Sequence, residues 1–97
     1  SEKTLLYYVI VIVGPALRSS IPIYVKNNFL DKYNISNKEM EIIGYVISGS
    51  TNQQIAELLF ISVNTVRTHL KNIYRKIEIN SQRELLLLYS RILHRTV

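Results

Sequence analysis

The stretch SVNTVRTHLKNIYRKI, residues 62–77, decides how the chain is read. Apolar residues recur in it at Val66, Leu70, Ile73 and Ile77, spaced by 4, 3 and 4, which is the stripe of a helix that buries one side. At about 100° per residue, Thr68, Lys71 and Arg75 fall on the opposite side, flanked by Asn64 and Arg67. The segment carries four cations and no acid, and no carboxylate occurs between Glu57 and Glu78. A helix that merely faces solvent mixes signs, because Glu and Lys four apart support each other. Here Lys71 and Arg75 repel at that spacing, at a cost of roughly a few tenths of a kcal/mol. An external polyanion removes the repulsion and releases its own counterions, so the uniform sign suits a phosphate-lined groove.

Working outward, LFIS at 59–62 joins this helix to a preceding one with a link of the length used in helix-turn-helix units. In that preceding helix Ile55, Ala56 and Leu59 form the buried side, and small Ala56 permits a close crossing. Ile61 anchors the turn, whereas Phe60 stands where a left-handed Gly or Asn is comfortable, which predicts local strain. Helix starts are marked by three capping-box patterns, SNKE at 36–39, TNQQ at 51–54 and SQRE at 81–84, each a hydroxyl residue three positions before Glu or Gln. Ser62 heads the quoted segment without such a partner, since Thr65 occupies the third position. Four helices are therefore expected at 37–48, 52–59, 63–77 and 82–93. The last is apolar on two sides: Leu85, Leu88 and Ile92 can face the core, while Leu86, Tyr89 and Leu93 form a second surface. Either the N-terminal segment covers that surface or a partner subunit does, and a dimer is the expectation.

Residues 1–33 read as a separate unit ahead of the domain at 34–97. TLLYYVIVIVGPAL, residues 4–17, has no charge but is shorter than the roughly twenty residues needed to span a bilayer. A core helix, a buried strand and the stub of a membrane helix all remain open for it. The chain starts with Ser rather than Met, which admits an upstream sensor or membrane domain in a longer protein. Gly14-Pro15 breaks the run. Ser20 can then cap an amphipathic connector helix with Pro22 in its first turn and Ile21, Tyr24, Val25 and Phe29 at helical spacing, ending near Tyr33.

Composition narrows the function classes. Lys plus Arg number 12 against 7 Asp plus Glu, a net charge of +5 that favours an anionic partner. Cysteine is absent, so no disulfide framework, thiolate metal site or cysteine nucleophile exists. The two histidines, His69 and His94, build no paired-histidine motif, and neither a Gly-rich phosphate loop nor a nucleophile constellation is present. No enzyme, cofactor or metal is expected.

The string GSTNQQIAELLFISVNTVRTHLKNIYRKI, residues 49–77, resembles the C-terminal DNA-binding domain of LuxR-type transcription regulators, which is also the output domain of NarL-type response regulators. The resemblance covers 36 to about 90 and rests on Asn52, Ile55, Ala56, Leu59, Ile61, Ser62, Thr65, Val66, Arg67, His69, Asn72, Ile73 and Lys76 in order. It implies an all-α, four-helix bacterial domain, here with one or two additional N-terminal helices. It also implies a helix at 63–77 that enters the major groove, dimerisation through the last helix, and sequence-specific binding to paired half-sites in double-stranded DNA. Carried over by position, Arg67, Thr68 and Lys71 match base-facing residues. The set expected near phosphate or sugar is Thr51, Asn52, Gln53, Asn64, Thr65, Arg75 and Lys76, to which exposed helix N-termini contribute. The chain departs from the family at Asn37, where Pro is frequent, and at Gln82, where Arg is usual. A cytoplasmic location follows from such a role, including that of the cytoplasmic part of a membrane protein. The competing reading is a membrane-associated helical module with its basic face on anionic lipid. It predicts cations along the connector, yet Lys26 and Lys32 are offset there by Asp31.

Overall fold

The computed structural model describes residues 21–95. Among the described residues there are five helices and no strand: α1 Ile23–Lys32, α2 Asn37–Ile47, α3 Asn52–Leu59, α4 Val63–Ile77 and α5 Gln82–Arg95. This is the all-α arrangement expected, with one N-terminal helix added. The apolar run at 4–17, its Gly14-Pro15 break and the Ser20 cap lie outside the described residues.

Side-chain chemistry at the helix starts explains where they fall. Ser36 Oγ accepts the Glu39 N–H at 3.1 Å, and Glu39 Oε1 accepts the Ser36 N–H at 2.9 Å. Thr51 and Gln54 repeat the exchange at the head of α3, at 3.1 and 2.8 Å. Each box satisfies two N–H groups that a helix terminus leaves without partners. At α5 the reciprocity is incomplete: Ser81 Oγ accepts the Glu84 N–H at 3.3 Å, but the Glu84 carboxylate bonds the N–H of Asn80 rather than that of Ser81. Pro22 occupies the capping position of α1 itself, not its first turn, and makes no side-chain cap bond.

Three helix ends share one hydrogen-bond pattern. After α2, Ser50 N–H bonds Tyr45 O and Gly49 N–H bonds Val46 O, both at 3.0 Å. Ile61 to Ala56 and Phe60 to Glu57 repeat this after α3, and Ile79 to Tyr74 and Glu78 to Arg75 after α4. The pattern is a Schellman motif, whose pivotal residue must be left-handed. Gly49 adopts φ 88° without penalty, whereas Phe60 at φ 57° and Glu78 at φ 63° bear the Cβ clash of that region. The strain expected at Phe60 is present; the one at Glu78 had no forewarning.

Val66, Leu70, Ile73 and Ile77 of α4 are buried as their spacing requires, and each contributes about 1.5–3 kcal/mol by leaving water. They pack against α3 and α2, which supplies Ile42, Ile43 and Ile47. Ala56 at 4% exposure sits where α3 and α4 meet closely. α1 lies against α2 and α5 and inserts Val25 and Phe29 into the same core.

This placement corrects one expectation. Leu86 and Tyr89 are not an outward surface awaiting a partner: both are buried within the chain, and Leu93 is partly buried against the core. The connector helix provides the cover. Burial raises the Tyr89 phenol above its ordinary pKa, and nearby Tyr24 of α1 adds to the shift. Tyr24 itself, expected on the inner side of α1, remains 41% exposed at the edge of the contact.

Candidate nucleic-acid interface

The basic side of α4 is built by elimination. Once α3 and α2 take the apolar stripe, Asn64, Arg67, Thr68, Lys71 and Arg75 have only solvent left to face, and all are exposed. Lys71 and Arg75 make no ion pair or hydrogen bond with any described residue. Arg67 Nη1 donates to Asn64 Oδ1 at 3.0 Å, a neutral partner that holds the guanidinium along the helix without cancelling its charge. The Thr68 hydroxyl donates back to the Asn64 carbonyl at 3.0 Å, which leaves its oxygen able to accept.

The remaining expected residues sit at two helix N-termini. Ser62 Oγ accepts the Thr65 N–H at 3.0 Å and lies 2.8 Å from the Thr65 hydroxyl, so Thr65 takes the place that Glu or Gln holds in a full box. No acid stands in the first turn of α3 or α4. Gln53 on α3 donates to Glu57 at 3.2 Å, so its amide is already engaged by a carboxylate.

Lys76 stands apart from this group. Nine residues beyond Arg67 it is rotated about 180° around the helix axis, away from the basic side. Its ammonium donates to Glu39 Oε1 at 2.7 Å and to the Asn34 carbonyl at 3.1 Å. A charge expected at the DNA backbone is thus spent inside the protein, joining the last turn of α4 to the first turn of α2 and to the segment before it. Burial pushes the Glu39 carboxyl upward, but the hydrogen bonds from Lys76 and Ser36, with the Lys76 charge, outweigh it and hold the carboxyl below its ordinary value.

Arg67, Lys71 and Arg75 line a cleft of about 650 Å³ that also brings in Asn52 from the head of α3. Ser50, Tyr74, Asn80 and Gln82 border it too, outside the set of interface residues expected from the sequence. Ser50 and Asn80 come from the turns before α3 and after α4, Tyr74 from α4 itself and Gln82 from the start of α5, and only the packed fold places them beside the basic side. None of the described residues that line the cleft is acidic. Among the described residues no cluster of His, Asp or Glu is arranged to hold a metal ion.

Residues 33–89 match the model of the family described as bacterial regulatory proteins, luxR family. The chain belongs to the LuxR family. Similar proteins include the transcriptional regulatory protein LiaR of Bacillus subtilis, 36% identical over 55 residues, which are 57% of this chain and 26% of LiaR. A monoamine regulon transcriptional regulator of Klebsiella aerogenes is 47% identical over 51 residues, 53% of this chain and 22% of that protein. A nitrate/nitrite response regulator protein homolog of Haemophilus influenzae is 37% identical over 57 residues, 59% and 26% of the two chains. The LuxR-family domain here thus aligns with about a quarter of the length of these curated relatives. No solved structure gives a significant match.

Proposed function

We propose that this LuxR-family domain binds double-stranded DNA sequence-specifically and so regulates transcription. α4 lies in the major groove, which at about 12 Å wide admits a helix of about 10–12 Å diameter. Arg67, Thr68 and Lys71 face the bases, where Arg and Lys recognise guanine O6 and N7. Thr51, Asn52, Gln53, Asn64, Thr65 and Arg75 face phosphate or sugar, with backbone N–H groups of the two helix N-termini aimed at the same strands. Lys76 is left out of this set because Glu39 holds it. The observation that carries the reading is the one-sided cationic surface of α4, free of carboxylate partners among the described residues. The three relatives named above are transcriptional or response regulators by name, in support of the same role.

Two copies on paired half-sites about one helical turn apart fit this role. With Leu86 and Tyr89 covered by α1, self-association through α5 falls to its outer side, where Leu87 is only partly buried. Such a regulator works where the bacterial chromosome is, in the cytoplasm. No described helix is long and apolar enough to cross a membrane.

The test is binding of the 97-residue chain to random and promoter-derived duplexes and to anionic vesicles, each across a salt series. Duplex binding that weakens steeply with salt and differs between sequences is the expected outcome. Vesicle binding without duplex binding would overturn the proposal in favour of the lipid reading.

A further inference from the structure

The cleft beside α4 is lined by more than the α4 cations. Arg67, Lys71 and Arg75 line it together with Asn52, Asn80 and Gln82. We infer that a backbone phosphate of the bound duplex seats in this cleft, held by the side-chain amides of Asn80 and Gln82 together with the α4 cations. This rests on the DNA-binding reading above and extends the contact surface to the turn between α4 and α5.

A helix that fills the major groove has a sugar-phosphate strand along each flank, so whatever borders it at that level meets phosphate oxygens. Ile79, Asn80 and the first residue of α5, Gln82, border α4 along the cleft. Asn80 and Gln82 are exposed, and neither side-chain amide hydrogen bonds to any described residue. The Asn80 backbone N–H is occupied by Glu84, which fixes the turn and leaves the side chain as the donor on offer. Three lining cations, with no acid among the described lining residues, select an anion. The open shape and volume suit a segment of a polymer strand better than an enclosed small ion.

Neutral amides give this site a signature that cations lack. A lysine or arginine on phosphate displaces counterions and steepens the salt dependence, whereas an amide adds affinity without changing the number of ions released. The 97-residue chain carrying Asn80→Ala, Gln82→Ala or both should lose about fivefold in duplex affinity per substitution, on specific and random sequences alike. The slope of log K against log salt should stay unchanged, while Arg75→Ala flattens it. Gln82→Glu places a carboxylate against the phosphate and should cost more than the Ala variant. A negative charge in the first turn of α5 favours the helix, so thermal stability should hold or rise and separate lost binding from lost folding.

Affinity of the double variant within twofold of the unaltered chain, with Arg75→Ala still impaired, would overturn this inference and leave the DNA-binding reading intact. Failure of the unaltered chain to bind any duplex would overturn both. Inorganic phosphate that competes with duplex beyond chloride of equal ionic strength, and does so only with Gln82 intact, would assign the cleft to the free ion instead.

Discussion

Lys76 Nζ lies 2.7 Å from Glu39 Oε1, and the two residues are 37 positions apart in sequence. The same carboxylate oxygen closes the capping box of α2 by accepting the Ser36 N–H. Removing the ammonium leaves a carboxylate with only 8% of its side chain exposed and no counter-charge, so Lys76→Met should destabilise the domain by about 1–3 kcal/mol in urea titrations at pH 7. The folded Glu39 pKa lies below its ordinary value of 4.5, so the pair contributes fully above that pH and the contribution fades as pH falls through the folded value. The difference between variant and unaltered chain should therefore shrink below about pH 4.5. A gap constant down to pH 3 would contradict the assignment.

On α4 the two exposed cations one turn apart are assigned different partners. Lys71→Ala should relax preference at one base position by about 1–3 kcal/mol, whereas Arg75→Ala should weaken all sequences and lower the salt slope by about one. Anisotropy titrations against single-base variants of a bound site read both effects. Equal losses for the two variants on every sequence would erase the distinction between base and backbone roles.

Phe60 is 93% exposed and held at φ 57°, so its side chain contributes nothing to the core while its backbone sits in the disfavoured left-handed region. Phe60→Gly should raise stability by about 1 kcal/mol, the relief of the Cβ clash less the added freedom of the unfolded chain. Phe60→Ala, which keeps the clash, should gain far less. The denaturation midpoints of the two variants decide the matter.

Phe29 anchors α1 in the core and lies 6.1 Å, centroid to centroid, from Tyr33. Phe29→Ala should cost about 3–5 kcal/mol through lost burial and the cavity left behind. Because α1 covers α5, the same variant should gain binding of a hydrophobic dye. A loss under 1 kcal/mol would show that α1 is not integral to the folded domain.

Sequence reasoning reached furthest where structure is set by neighbours in the chain. The Ser36 and Thr51 caps and the 4, 3, 4 spacing in α4 place helix starts and the buried stripe because hydrogen bonds and side-chain direction act within one or two turns. It failed where the partner is distant. Nothing near Lys76 announces Glu39, and only its position about half a turn round from Arg67 hints that it points elsewhere. Asn80 and Gln82 look like ordinary turn residues until α4 and α5 are packed. The apolar pattern marks Leu86 and Tyr89 as needing cover, yet periodicity does not say whether α1 or another molecule supplies it.

The matched family region starts at residue 33, just past the end of α1. A recombinant fragment trimmed to that boundary would discard Val25 and Phe29 and bare Leu86 and Tyr89 to water. Its melting temperature, solubility and tendency to pair would then describe an artificial surface created by the cut. Expression boundaries for this chain belong upstream of Ile21, whose side chain is the first described contribution to the core.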